Sequence, residues 1–374
     1  MFTAINHSKN EKFQVVWDLG RRCTYACSYC GPHHSNKTSP LIDIEKLKNT
    51  LDGLVEYSML LNKYRIEEKI TSISFTGGEP TIHPDFFPFI EHMKEKYPLI
   101  RTHVTTNGCY NDKKCQKIIN NMDSAAISYH PEASVKEKEL VLDNIQRMVD
   151  ANFSVSVNVM FHKDYFEECK KVCRYCKTLG IKYTPRPIGD SNNHTDVIDG
   201  TAHTYSNKQL NYIHQGWKTD VMAMVPKTSI ETIGRPCCNG KCLSVKIDNK
   251  WNKQPYVPST NFFNWSCMVN WDFLFINSEF DTVYFHQTCK VNLNSEIGPI
   301  GKASNFKKII NEYTDMFNNG TVPVIRCPKT HCGCGLCSPK AKEKFEAENI
   351  FAEKVNGLEP KFIDSFSERC YNNL

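Results

Sequence analysis

No apolar run in the sequence approaches the roughly 18 residues that a membrane-spanning helix requires. The opening residues, MFTAINHSKNEKF, lack the apolar core of a signal peptide. These absences make a cytoplasmic location the expectation, with no membrane partner. Strong charge of one sign is also missing. The net charge is +5, and basic residues are interspersed with acids, as in KEKELVLDNIQR. That pattern reads as a solvated helix face and gives no basic patch for nucleic acid. No repeat stands out beyond an alternation of strand-like and helix-like segments. Cysteine is plentiful without reaching disulfide-scaffold density: eighteen residues, about 5%, against roughly 8–10% in such scaffolds. In a reducing compartment, clustered thiols are more often metal ligands or catalysts.

The 374 residues suffice for one large domain and a smaller one. From residue 13 to about 188 two periodicities alternate. Strand patterns lie at 13–19, 70–76, 100–106, 125–130, 153–161 and 181–188. Helical patterns lie at 42–64, 85–97, 112–122, 134–151 and 165–180, with Ser134 and Glu137 spaced as a capping box. Six strands with five intervening helices predict an α/β fold with a parallel sheet. Periodicity leaves open sheet and barrel undecided, but both place a site at the C-terminal strand ends. Residues 191–235 read as a linker or insertion. Residues 236–340 read as a small cysteine-rich α+β domain, with Phe262, Phe263, Trp265, Trp271 and Phe273 as its core. A charged helix and tail are expected over 341–374.

The first strand runs into CTYACSYC (23–30). Cys23, Cys27 and Cys30 can converge on one metal centre at little loop-closure cost. Structural zinc takes four protein ligands, and His33 or His34 could supply the fourth. An iron–sulfur cube held by three thiolates instead leaves one iron open to a small ligand. The second strand runs into Gly77-Gly78-Glu79-Pro80, where glycines admit close backbone approach and Glu79 can pair with an amino group. The third strand ends at Thr106-Asn107-Gly108.

Cys23-x3-Cys27-x-Tyr29-Cys30, followed by Gly77-Gly78-Glu79-Pro80 and Thr106-Asn107-Gly108, resembles the radical S-adenosylmethionine (SAM) superfamily over roughly residues 13–190. The resemblance implies a partial (β/α)6 TIM-like barrel as the core, over 1–190. It implies that Cys23, Cys27 and Cys30 hold a [4Fe–4S] cluster whose open iron binds SAM. It also implies that Gly77, Gly78, Glu79 and Asn107 contact SAM, with the Tyr29 main chain near the adenine. Ser128 and Asn158 are candidates for the ribose or carboxylate by strand-end position. Reductive cleavage of SAM to a 5′-deoxyadenosyl radical and abstraction of a substrate hydrogen are the implied chemistry.

Cys267, Cys289, Cys327, Cys332, Cys334 and Cys337 resemble the ligands of the SPASM and twitch extensions of that superfamily, which carry auxiliary iron–sulfur clusters. The spacing of the last four departs from the SPASM pattern, so one auxiliary cluster is expected, and Cys237, Cys238 and Cys242 could complete a second. A zinc knot could use the same residues. His130 is a candidate proton donor or acceptor near the substrate, or a packed core histidine. Arg186 could pair with a substrate carboxylate or phosphate, or serve an internal ion pair. A first strand near residue 13 leaves no room for a leader-peptide-binding domain. A small polar molecule or carbohydrate is therefore expected as substrate ahead of a ribosomal peptide. An external electron donor such as flavodoxin or ferredoxin is the expected partner. A zinc-stabilised, non-catalytic binding protein is the rival from another class.

Overall fold

The computed structural model describes residues 2–7, 11–30, 35–188, 205–209, 211–213, 233–236, 243–253, 256–258, 261–286, 298–327 and 338–363. The chain begins with β1 (Phe2–His7) and β2 (Lys12–Asp18). There follow α1 (Ile44–Tyr64), β3 (Ile70–Thr76), α2 (Phe86–Lys96), β4 (Arg101–Thr106), α3 (Asp112–Asn121) and β5 (Ser124–Tyr129). Then come α4 (Val135–Asp150), β6 (Val155–Phe161), α5 (Phe166–Thr178) and β7 (Lys182–Pro187). Strands β2 to β7 lie side by side in chain order, and β4 to β7 pair in parallel. The sheet ends at β7, so the α/β architecture is that of an open, partial barrel.

The chain divides into two compact units, residues 17–47 with 73–220, and residues 1–16 and 48–72 with 221–374. In the first unit, β6 shows how the alternation positions the site. Val155, Val157, Val159 and Phe161 are buried, while Ser156, Asn158 and Met160 are half-buried on the opposite face. Period-2 alternation puts each set on its own side of the sheet. Ser134 and Glu137 form the predicted capping box at the start of α4. It satisfies backbone donors that a helix start otherwise leaves orphaned.

The second unit interleaves the two ends of the chain, where sequential domains were expected. After β7 the strands are β8 (Ile233–Pro236), β9 (Leu243–Ile247), β10 (Lys250–Lys253), β11 (Tyr256–Pro258), β12 (Ser266–Cys267), β13 (Phe273–Asn277) and β14 (Thr282–Tyr284). They are followed by α6 (Phe306–Asn318), β15 (Thr321–Arg326), β16 (Lys340–Ala341), α7 (Lys344–Ala352) and β17 (Glu359–Ile363). One sheet has the order β10-β9-β1-β16-β12-β15-β17. The chain therefore enters its first strand at Phe2, not near residue 13, because β1 is captured by β9 and β16. Residues 48–64 of α1 join this unit through their apolar face. Tyr57 meets Tyr313 edge-on at 5.2 Å, and a Cβ on Gly53 would stand 2.4 Å from Phe306 Cβ. Of the charged helix and tail expected over 341–374, the helix is confined to α7, and the tail supplies β17, parallel to β15. Phe262, Trp265, Trp271 and Phe273 are buried as expected, while Phe263 is half-buried. No described helix is long and apolar enough to cross a membrane.

Asp123, just before β5, accepts bonds from the Thr102 amide and hydroxyl at 2.8 Å each, Lys94 Nζ at 2.7 Å and Arg101 Nη1 at 3.0 Å. Burial pushes its pKa up, but these donors outweigh burial and hold the carboxyl well below the usual carboxylate range. A depressed folded pKa contributes stability above the unfolded value of about 3.9, which is lost as pH falls through the folded one. Asp123→Asn should lower the unfolding free energy at pH 7 by about 1.5–3 kcal/mol, the scale of hydrogen bonds to a charged group. Chemical denaturation across pH should show that difference narrowing below about pH 4.

Candidate functional site

The loop after β2 and the loop after β3 are joined backbone to backbone. Leu19 N donates to Thr76 O at 3.0 Å, Gly78 N to Gly20 O at 2.8 Å and Glu79 N to Arg22 O at 2.7 Å. The glycines make this approach possible. A Cβ on Gly77, whose φ is +140°, would lie 2.4 Å from Gly20 O, and one on Gly78 would lie 2.2 Å from Arg22 O. Any side chain at either position would force the loops apart.

Glu79 fastens a third loop. Its Oε1 accepts from the Thr81 amide at 3.1 Å and from the Thr81 and Thr106 hydroxyls at 2.7 Å each. Its Oε2 accepts from the Asn107 amide at 2.6 Å. Glu79 is 3% exposed, and burial pushes its pKa up against the lowering pull of the bonds from Asn107, Thr81 and Thr106. All four donors come from the chain, so the carboxylate acts as the anchor joining Gly77–Pro80 to the end of β4. Asn107 Nδ2 in turn donates to Thr24 Oγ1 at 2.9 Å, which ties the end of β4 to the cysteine loop.

Cys27 is buried and Cys23 and Cys30 are half-buried, in a nest with Tyr25, Tyr29, Ile188, Ala133, Met160 and Cys109. Burial raises the Cys23 pKa and pushes Cys27 up to about 12, and the Cys30 sulfur adds to both. Such groups remain thiols at neutral pH until a metal takes the place of the proton. Among the described residues, no three histidine, cysteine or acidic side chains surround a single ion. Three thiols on one apolar loop can each bind a different iron of a cluster. The donor set and the glycine cradle beside it thus fit the cluster and a small ligand.

His130 lies against the cysteine loop, not over open space. Its Nδ1 is 2.7 Å from the Tyr29 hydroxyl and 3.5 Å from Cys27 Sγ, and its ring stacks on Tyr29 and meets Tyr25 edge-on. Burial pushes its pKa down to about 4. The packed alternative therefore describes His130 better than a proton donor facing the substrate. Ser128, Asn158 and Thr184 are register neighbours on one face of β5, β6 and β7. Arg186 is exposed and donates from Nε to Asn158 Oδ1 at 3.2 Å.

Of the auxiliary candidates, Cys267 and Cys327 are described, and both are buried. Cys267 pairs with Ile325, and the Cys327 amide donates to Trp265 O at 2.8 Å. The two cysteines are therefore diagonal neighbours on one sheet face, within reach of a common centre. Cys289, Cys332, Cys334, Cys337, Cys237, Cys238 and Cys242, with His33 and His34, lie outside the described residues.

Residues 17–184 match the family model described as the Radical SAM superfamily. Over that span the chain is similar to the radical SAM superfamily. Members of it use a [4Fe–4S] cluster and SAM. A GTP 3′,8-cyclase of Sulfurovum sp. (strain NBC37-1) is 26% identical over 174 residues, 43% of this chain and 50% of the cyclase. The chain thus spans about half the length of the curated relatives it matches. Among solved structures, anSMEcpe with bound AdoMet is 15% identical, covering 78% of each chain, with a TM-score of 0.48. Streptococcus suis SuiB is 12% identical, covering 73% of this chain and 60% of its own, with a TM-score of 0.47.

One repeat of the motif escaped the reading of the sequence. Cys169-x3-Cys173-x-Tyr175-Cys176 has the spacing of Cys23–Cys30, including the tyrosine, but lies within α5. On a helix, positions i, i+4 and i+7 share a face but spread along about 10 Å of axis. All three are buried, and burial pushes each pKa up to about 12. Serine at Cys23, Cys27 or Cys30 should abolish iron uptake on anaerobic reconstitution. Alanine at Cys169, Cys173 or Cys176 should leave iron per folded chain unchanged while lowering the melting temperature.

Proposed function

We propose that the chain is a radical SAM enzyme in which Cys23, Cys27 and Cys30 hold a [4Fe–4S] cluster and SAM binds beside Gly77, Gly78 and Glu79. The observation that carries this is the junction of the three-thiol loop with a glycine cradle at neighbouring strand ends. With cluster and SAM bound, the chemistry supplied is a 5′-deoxyadenosyl radical that takes a hydrogen atom from the substrate. The chain's own part is to orient and to exclude water. Tyr25, Tyr29 and Ile188 enclose the thiols in apolar surface. Glu79, through Thr106 and Asn107, keeps the cradle and the cysteine loop in register. Ser128 and Asn158 offer polar groups for the ribose or carboxylate of SAM.

A small polar substrate fits the half-buried polar face of β5 to β7 best. The exposed guanidinium of Arg186 can pair there with a carboxylate or phosphate. The cyclases that the chain resembles act, by their name, on GTP, but the likeness covers half their length and does not carry that substrate across. A SPASM- or twitch-like auxiliary cluster in the second unit, using Cys267 and Cys327, is supported by their shared sheet face. Electrons would come from an external donor such as flavodoxin or ferredoxin.

Anaerobic reconstitution followed by dithionite and SAM should yield 5′-deoxyadenosine. Iron should bind at about four per chain for one [4Fe–4S] cluster and about eight for two. Cys267→Ala should remove about four of eight irons and spare SAM cleavage. Zinc in place of iron, or no 5′-deoxyadenosine, would contradict the proposal.

A further inference from the structure

Between Cys27 and Cys30 the cysteine loop is gripped from the next strand ends. The Ser28 amide donates to Glu132 Oε2 at 2.7 Å, and the Ser28 hydroxyl donates to Oε1 at 2.5 Å. His162, 6% exposed at the end of β6, stands behind this carboxylate with Nε2 3.3 Å from Oε1. His162 Nδ1 accepts the Asp164 amide at 3.2 Å. A ring nitrogen that accepts carries no proton, so the Nε2–H faces Glu132. Glu132 therefore takes three donors, two from the cysteine loop and one from β6. Nothing in the SAM motifs accounts for this arrangement. The side chain of Glu132 is 21% exposed, so its charge is only partly screened.

We infer that Glu132 is a positioning residue for the cluster loop: its carboxylate clasps Ser28, His162 braces it, and its charge makes the adjoining cluster harder to reduce. This rests on the proposed cluster at Cys23, Cys27 and Cys30. A fixed negative charge near a cluster opposes the added electron, and hydrogen bonding and charge are the protein's means of setting the potential.

Glu132→Gln keeps an acceptor for Ser28 and removes the charge. After anaerobic reconstitution it should match the wild type in iron per chain. Its cluster midpoint potential, followed by EPR through a reductive titration, should move positive, so that the reduced fraction at a fixed solution potential rises severalfold. Ser28→Ala removes one bond and leaves the charge. Its potential should stay at the wild-type value while a chelator strips its iron faster. An unshifted potential in Glu132→Gln, or an unchanged stripping rate in Ser28→Ala, overturns the inference. Should Glu132→Gln fail to load iron, Glu132→Asp, which keeps the charge, is expected to restore loading, and failure to restore it also overturns the inference. A wild-type chain that takes up no iron overturns the cluster proposal instead.

Discussion

Two backbone hydrogen bonds, from the Gly78 amide to Gly20 O and from the Glu79 amide to Arg22 O, hold the loop after β3 against the loop after β2. Neither could form if Gly77 and Gly78 carried side chains, because the space a Cβ would need there is filled by carbonyl oxygens. The buried Glu79 carboxylate extends the junction to β4. An unpaired buried carboxylate would cost several kcal/mol, and its four donors offset that cost. Three successive strand ends thus become one rigid rim, and the thiols of Cys23, Cys27 and Cys30 sit on it. A site that must place a metal corner beside a small ligand needs such rigidity more than it needs extra contacts.

The rim divides its environments. Around the thiols the surroundings are apolar and aromatic, which raises the pKa of Cys23 and Cys27 and keeps water away. Along β5 to β7 one face carries the half-buried polar side chains of Ser128, Asn158 and Thr184 and the exposed Arg186. His130 belongs to the apolar side, packed between tyrosines, where burial keeps it neutral.

The first unit was legible because its elements obey local rules. The strand expected at 70–76 is β3 itself, and Ser134 and Glu137 cap α4 as their spacing suggests. The interleaving was not legible. FTAINH becomes a strand only because distant β9 and β16 flank it, and no local pattern announces such pairing. Similarly, SNFKKIINEYTDMFN carries a helical apolar face at Phe306, Ile309, Ile310, Tyr313 and Phe317 that was passed over among the cysteines. The site was legible where a motif concentrates it, at the three cysteines and the glycines. The motif alone did not suffice, since the same spacing recurs at Cys169–Cys176 on a helix and there packs a core. Glu132, Ser28 and His162 carried no signal, because their meeting depends on how three strand ends converge.

The central claim is that the loop at Cys23–Cys30 leaves one metal corner open beside the glycine cradle. EPR of the reduced, reconstituted chain with and without SAM tests it most directly. The account predicts a signal from a reduced [4Fe–4S] cluster whose shape changes when SAM is added, because SAM occupies the open iron. Identical spectra in the two samples, or the absence of any iron–sulfur signal, would contradict it.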